Sequence, residues 1–146
     1  MWNHYASAQK WNSGVTRTQT PRRLGLKILR LHHAQITVAK SDEARARAFY
    51  CGLLGLPEIE KPQSLKSRGG FWAQVGDRQL HIGIEENVNR SATKAHIAYE
   101  VDDIAAWRQK LAENGIHPLD SIPIEGYDRF EFRDPFGNRV EFIQPL

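Results

Sequence analysis

Four side chains able to donate to a metal stand at corresponding places in two stretches of this 146-residue chain. His33 in LHHAQITV and His96 in KAHIAYEV each precede by five residues the valine that ends their apolar run. His81 in RQLHIGI and Glu141 in NRVEFIQ each fall in a short alternating run near the end of their half. The first pair is 63 positions apart and the second 60. Three imidazoles and one carboxylate make a donor set suited to one divalent transition metal: Zn, Fe, Mn, Ni or Co. Two histidines and the carboxylate would form the facial triad of non-haem iron, and His81 as a fourth ligand leaves one or two positions for substrate or water. Taken singly, each residue reads as a polar group on a sheet face. Their repetition at matched places points to one shared metal site.

The elements that must position these residues follow from apolar periodicity. Residues 29–38 read as a strand, and Ser41 or Asp42 can cap a helix whose apolar face is Ala44, Ala48, Phe49, Leu53 and Leu54. Gly52, Gly55 and Pro57 end it. Short strands are expected at 58–60, 71–75 and 79–84, with Gly76-Asp77 as a hairpin turn. After the polar linker 86–93 the order repeats: a strand at 95–101, then a helix capped by Asp102 or Asp103 and closed by Asn114-Gly115. Strands at 116–119, 129–133 and 139–143 follow, the last two joined by Asp134-Pro135-Phe136-Gly137-Asn138, which is turn chemistry. Each half is therefore β-α-β-β-β, and the fold class is α+β. Alternation places His33, Gln35 and Thr37 on one face of the first strand, opposite Ala34, Ile36 and Val38. His96, His81 and Glu141 likewise face away from the apolar stripe of their strands, so the polar faces are expected to line a concavity under which the ligands converge. Gln35, Trp72 and Phe130 are candidate walls of a substrate pocket. His32 faces opposite to His33, and Cys51 reads as a packed thiol rather than a nucleophile.

LHHAQITV, the helix end AFYCGLLGL, AHIAYEVDD and DPFGNRVEFI together resemble the vicinal oxygen chelate superfamily. That superfamily embraces glyoxalases, epimerases, fosfomycin-resistance enzymes, extradiol dioxygenases and bleomycin-resistance proteins. The resemblance covers residues 29–144 and implies paired βαβββ modules forming a curved mixed sheet around a metal, helices outside. It puts His33, His81, His96 and Glu141 at the ligand positions. The chain departs from bacterial glyoxalase I, which resembles it but carries Glu where His81 stands. Glu141 is then the only carboxylate of the four, and this argues against isomerisation of a glutathione hemithioacetal. The resemblance implies a metal-dependent lyase or isomerase acting on a small substrate with vicinal oxygens. Glu141 would be a ligand able to dissociate and act as catalytic base. An iron-dependent extradiol-type dioxygenase is one alternative, for which His117 and Tyr127 are available as acid/base groups. A non-catalytic binding or resistance protein is the other. Modules of this kind pair within a chain or are exchanged between chains, and a homodimer is the expected assembly.

Composition bounds the rest. No apolar run approaches the roughly 20 residues of a membrane span. A single cysteine, Cys51, fits a reducing compartment, and the expected location is cytoplasmic. The net charge of +3 is uneven: residues 1–30 carry six basic and no acidic residues, leaving 14 basic against 17 acidic beyond them. Residues 1–26 thus read as a basic, flexible tail on a single domain, 27–146, made of modules at about 27–85 and 94–146. Trp2, Tyr5 and Trp11 among its cations keep open a nucleic-acid arm, which a flexible tail outweighs. A transit peptide and a misassigned start codon are further readings of the same segment.

Overall fold

The computed structural model describes residues 26–119 and 121–146. The tail reading falls almost wholly on residues 1–25, outside the described residues. The first module holds β1 (His33–Val38), α1 (Glu43–Arg47), β2 (Glu58–Ile59), β3 (Phe71–Val75) and β4 (Arg78–Ile84). The second holds β5 (His96–Glu100), α2 (Ile104–Glu113), β6 (Tyr127–Arg133) and β7 (Arg139–Pro145). Each module forms its own sheet, in the orders β1-β4-β3-β2 and β5-β7-β6. The first strand of each module runs parallel to the last, β1 with β4 and β5 with β7, and the remaining pairs are antiparallel. This is the α+β arrangement that the alternating strand pattern dictates.

Register decides which side chains share a face. Gln35 lies opposite His81, and His81 opposite Trp72, so these three and His33 occupy one face of the first sheet. Ala98 lies opposite Glu141, and Glu141 opposite Glu131, on the matching face of the second. The opposite faces carry the apolar residues. Val38, Phe71, Leu80 and Ile82 from one sheet join Phe130, Phe132, Val140 and Phe142 from the other in a single buried cluster, with Tyr50, Ile104 and Leu111 from the helical segments. Burial of that aromatic area is the main stabilising term.

A polar joint ties the modules together. The Tyr50 hydroxyl donates to Asp134 Oδ2 at 2.6 Å, while Asp134 Oδ1 accepts from the amides of Phe136 and Asn138. Asn138 Nδ2 in turn donates to the carbonyl of Thr37 in β1. The 134–138 turn is therefore also the contact through which the second module grips the first.

Two elements differ from expectation. The helix expected after residue 42 is a 3-10 turn, a short α1 and then a wider π-type stretch, Ala48–Leu53. Widening lets both Phe49 and Tyr50 reach the core. The strand expected at 116–119 is a single bridge, Leu119 to Glu131, because Pro118 has no N–H to continue a ladder. At α2 the Asp103 carboxylate accepts from the amide of Ala106 at 2.9 Å, the capping read from the sequence.

Candidate metal centre

In the first module His81 is sandwiched between two rings. His33 stacks on one side with centroids 4.1 Å apart, and Trp72 on the other at 3.8 Å. His81 Nε2 lies 3.1 Å from Gln79 Oε1. Burial first, and then the neighbouring His33, His32 and Lys61, push the His81 pKa down to about 4. The ring is therefore neutral near pH 7 and keeps a lone pair to donate. His33, Gln35, Trp72 and His81 line a cavity of about 630 Å³.

In the second module His96 Nε2 lies 2.9 Å from Glu141 Oε2, and His96 Nδ1 lies 3.0 Å from the carbonyl of Lys94. A carbonyl can only accept, so Nδ1 carries the proton. An ionised carboxylate can also only accept, so Nε2 and Oε2 share either a second proton or another cation. A backbone carbonyl that takes the Nδ1 proton and leaves Nε2 free to donate a lone pair is the arrangement that supports a metal-binding histidine. Glu131 adds a third donor: His96, Glu131 and Glu141 present atoms that all lie within 4.8 Å of one another.

Arg129 completes this cluster. Its Nε donates to Glu141 Oε1 and its Nη2 to Glu131 Oε1, each at 2.6 Å, while Nη1 reaches the carbonyl of Ile122. Arg139 holds the other oxygen of Glu131. Hydrogen bonding from Arg129 outweighs burial and keeps the Glu141 pKa below the usual carboxylate value. Glu141 is thus ionised, with Oε1 occupied and Oε2 turned to His96.

The four expected ligands are brought together as two pairs. Among the described residues the donor cluster of the second module contains neither His33 nor His81. His96 lines a separate cavity of about 370 Å³, and Gln35 lines both. Trp72 lines the same cavity as His33, Gln35 and His81. Phe130 does not: it is buried among Phe132 and Phe142 on the opposite face, because alternation that puts Arg129 and Glu131 on the ligand side sends Phe130 to the core. His117 and Tyr127 are exposed and line neither ligand cavity. Cys51 packs against the core, and burial raises its thiol pKa. Sequence reasoning missed Arg129 and Glu131, although their place in YDRFEFR, alternating with two phenylalanines, carried the signal.

Residues 30–142 match the family model of the Glyoxalase/Bleomycin resistance protein/Dioxygenase superfamily. The chain belongs to that superfamily. Its fold resembles that of a protein from Bacillus anthracis assigned to the glyoxalase family, with 38% identity and a TM-score of 0.77, covering 84% of this chain and all of the other. Within the superfamily fold it also resembles the fosfomycin resistance protein FosX from Listeria monocytogenes complexed with Mn(II) and sulfate, at 15% identity and a TM-score of 0.67, over 82% and 93% of the two chains. A FosX mutant complexed with Mn(II) and 1S,2S-dihydroxypropylphosphonic acid matches at 18% identity and a TM-score of 0.68, over 82% and 95%. No curated protein matches the chain by sequence. Among the described residues no helix is long and apolar enough to cross a membrane.

Proposed function

We propose that this chain is a metal-dependent enzyme of glyoxalase type, a lyase or isomerase for a small substrate with two adjacent oxygens. The observation that carries the reading is His96, whose Nδ1 faces a carbonyl while Nε2 faces an ionised carboxylate, a gap that a metal cation fills as well as a proton does. His33, His81, His96 and Glu141 are the residues that would hold a divalent transition metal, such as the Mn(II) bound by FosX. The donor set fits: His81 is held neutral, and Glu141 is ionised with one oxygen free of Arg129.

The two pairs belong to different sheets, and the first strand of each sheet, β1 and β5, is an edge strand. Leu26, Ile28, Leu29 and Leu31, next to β1, are exposed. These features support a homodimer in which the first module of one copy faces the second module of the other, completing one set of four ligands.

The bound cation would supply Lewis-acid stabilisation of negative charge on the substrate's paired oxygens. The chain's own residues do the rest. Arg129 fixes Glu141 so that Oε2 alone is presented, and the same hydrogen bond weakens Glu141 as a base. Proton transfer by Glu141 therefore requires it to let go of both His96 and Arg129. Trp72 and Gln35 form walls that orient the substrate. Arg129 also favours a second reading, a non-catalytic small-molecule-binding protein, because both carboxylates at the site are already neutralised. The dioxygenase reading lacks support from His117 and Tyr127, which stand outside the ligand cavities.

Elemental analysis of the full chain, made without a histidine tag or chelator, tests the proposal. About one transition metal per chain is expected, lost in Glu141→Gln with the circular dichroism spectrum unchanged. Protein that takes up no metal after incubation with each ion in turn would leave the binding-protein reading. Metal content unaffected by Glu141→Gln would remove Glu141 from the ligand set.

A further inference from the structure

The cavity beneath His33 and His81 is charged in one sense. Lys61 and Arg68 line it, together with Leu65 and Trp72, and no aspartate or glutamate does. The acids nearest in the chain are already engaged, Glu60 with Lys66 and Glu58 with Arg47, while Glu43 reaches Arg47 through Oε1 and sets its Oε2 behind Gly69 at the cavity margin. Lys61 Nζ donates to the carbonyls of Gly69 and Gly70, so of its three donors one is left over. Arg68 makes no ion pair or hydrogen bond among the described residues, and its guanidinium fork is the shape that grips a planar or tetrahedral oxyanion. The backbone sets the position of both. Gly69 and Gly70 have φ of 70° and 72°, and a Cβ on Gly70 would lie 2.1 Å from the carbonyl oxygen of Ile82. The 63–68 turn is thereby drawn down onto β4, one residue beyond His81.

We infer that this cavity selects substrates carrying an oxyanion, a carboxylate or phosphonate, beside the vicinal oxygens, with Lys61 and Arg68 as the anion-binding pair. The inference rests on the metal-site reading for the vicinal oxygens and on the two cations alone for the anion. Two positive charges that make no ion pair among the described residues attract an anion more strongly in a walled cavity than they would in open water. Leu65 and Trp72 offer an apolar wall for the remainder of the molecule.

Three probes separate these contributions: mandelate, its methyl ester, and α-hydroxybenzylphosphonate. All share a phenyl ring and an α-hydroxyl, and they differ in charge. Each is titrated into the ¹⁵N-labelled full chain, chelator-treated and then Zn(II)-loaded, following the amides of Gly69 and Gly70 and the indole N–H of Trp72. Both acids are expected to bind about tenfold or more tightly than the ester, with or without metal, as charge-assisted hydrogen bonds imply. In the metal-free chain Arg68→Gln, an exposed change, should cut that preference severalfold, and the double variant with Lys61→Gln should abolish it. Whichever acid binds more tightly identifies the anion. In the metal-free chain, equal affinity for acid and ester, no binding by any probe, or a preference that survives the double variant would overturn the inference. An intact acid preference with no gain on adding Zn(II) would count against the metal reading alone.

Discussion

Replacing Arg129 with Met removes the one cation that both site carboxylates share. The Arg129 side chain is 10% exposed and lies between Glu131 and Glu141, whose side chains are 5% and 7% exposed. Three hydrogen bonds disappear, and two cross-strand carboxylates are left facing each other. Breaking a buried ion pair by deleting one partner costs about 3–5 kcal/mol. Glu131 keeps Arg139 and Glu141 keeps His96, so the lower end, about 3 kcal/mol, is expected at pH 7. Against a typical stability of about 5–15 kcal/mol that is a large loss. In the parent protein the Glu141 pKa is depressed, so its contribution is present above the unfolded carboxylate pKa and is lost as pH falls through the folded value. Without Arg129 the largest cause of that depression is gone, so the variant loses less on acidification than the parent does. The gap between parent and variant should therefore narrow from pH 7 to pH 4. Urea unfolding of metal-free protein at both pH values measures it. A loss under about 1 kcal/mol at pH 7, or the same loss at both, would refute the claim that Arg129 neutralises buried carboxylates.

Two further outcomes follow from the geometry. The His81 pKa is lowered from 6.5 to about 4, so the unfolded chain binds a proton that the folded chain refuses within that window. Its contribution to stability should be complete above about 6.5 and lost progressively toward pH 4, and NMR titration of the imidazole should show no midpoint near 6.5. Gly70→Ala puts a methyl where the carbonyl of Ile82 stands, at a positive φ, and should cost about 2–4 kcal/mol and displace the 63–68 turn. A urea midpoint within error of the parent would show the turn to be looser than described.

Period-2 alternation made the sheets legible. His33, His81, His96 and Glu141 all lie on the non-core faces because Ala34, Ile82, Ile97 and Phe142 must lie on the others. Register between strands was not legible in the same way, since it depends on pairing across dozens of residues. So the four donors could be assigned to faces, but not divided into the pairs that the structure shows. Arg129 was overlooked for a related reason: an arginine between Asp128 and Phe130 reads as solvent-facing until β7 brings Glu141 beside it. Phe130, a candidate pocket wall by its aromaticity, shares the parity of Phe132 and lies with it in the core. The short helix departed from a regular pattern because Phe49 and Tyr50, adjacent in sequence, are both drawn inward.

The stack of His33, His81 and Trp72 gives the protein an optical property. An indole lying flat on an imidazole, rings 1° from parallel, shares its excited state with that neighbour. A charged imidazole accepts an electron from excited indole far more readily than a neutral one does. Emission from Trp72 therefore registers the electronic condition of His81, whether altered by a proton or by a Lewis acid on its lone pair. The pairing of β3 with β4 thus puts one of the chain's four tryptophans on the site itself, and replacing Trp2, Trp11 and Trp107 would leave its emission to be read alone.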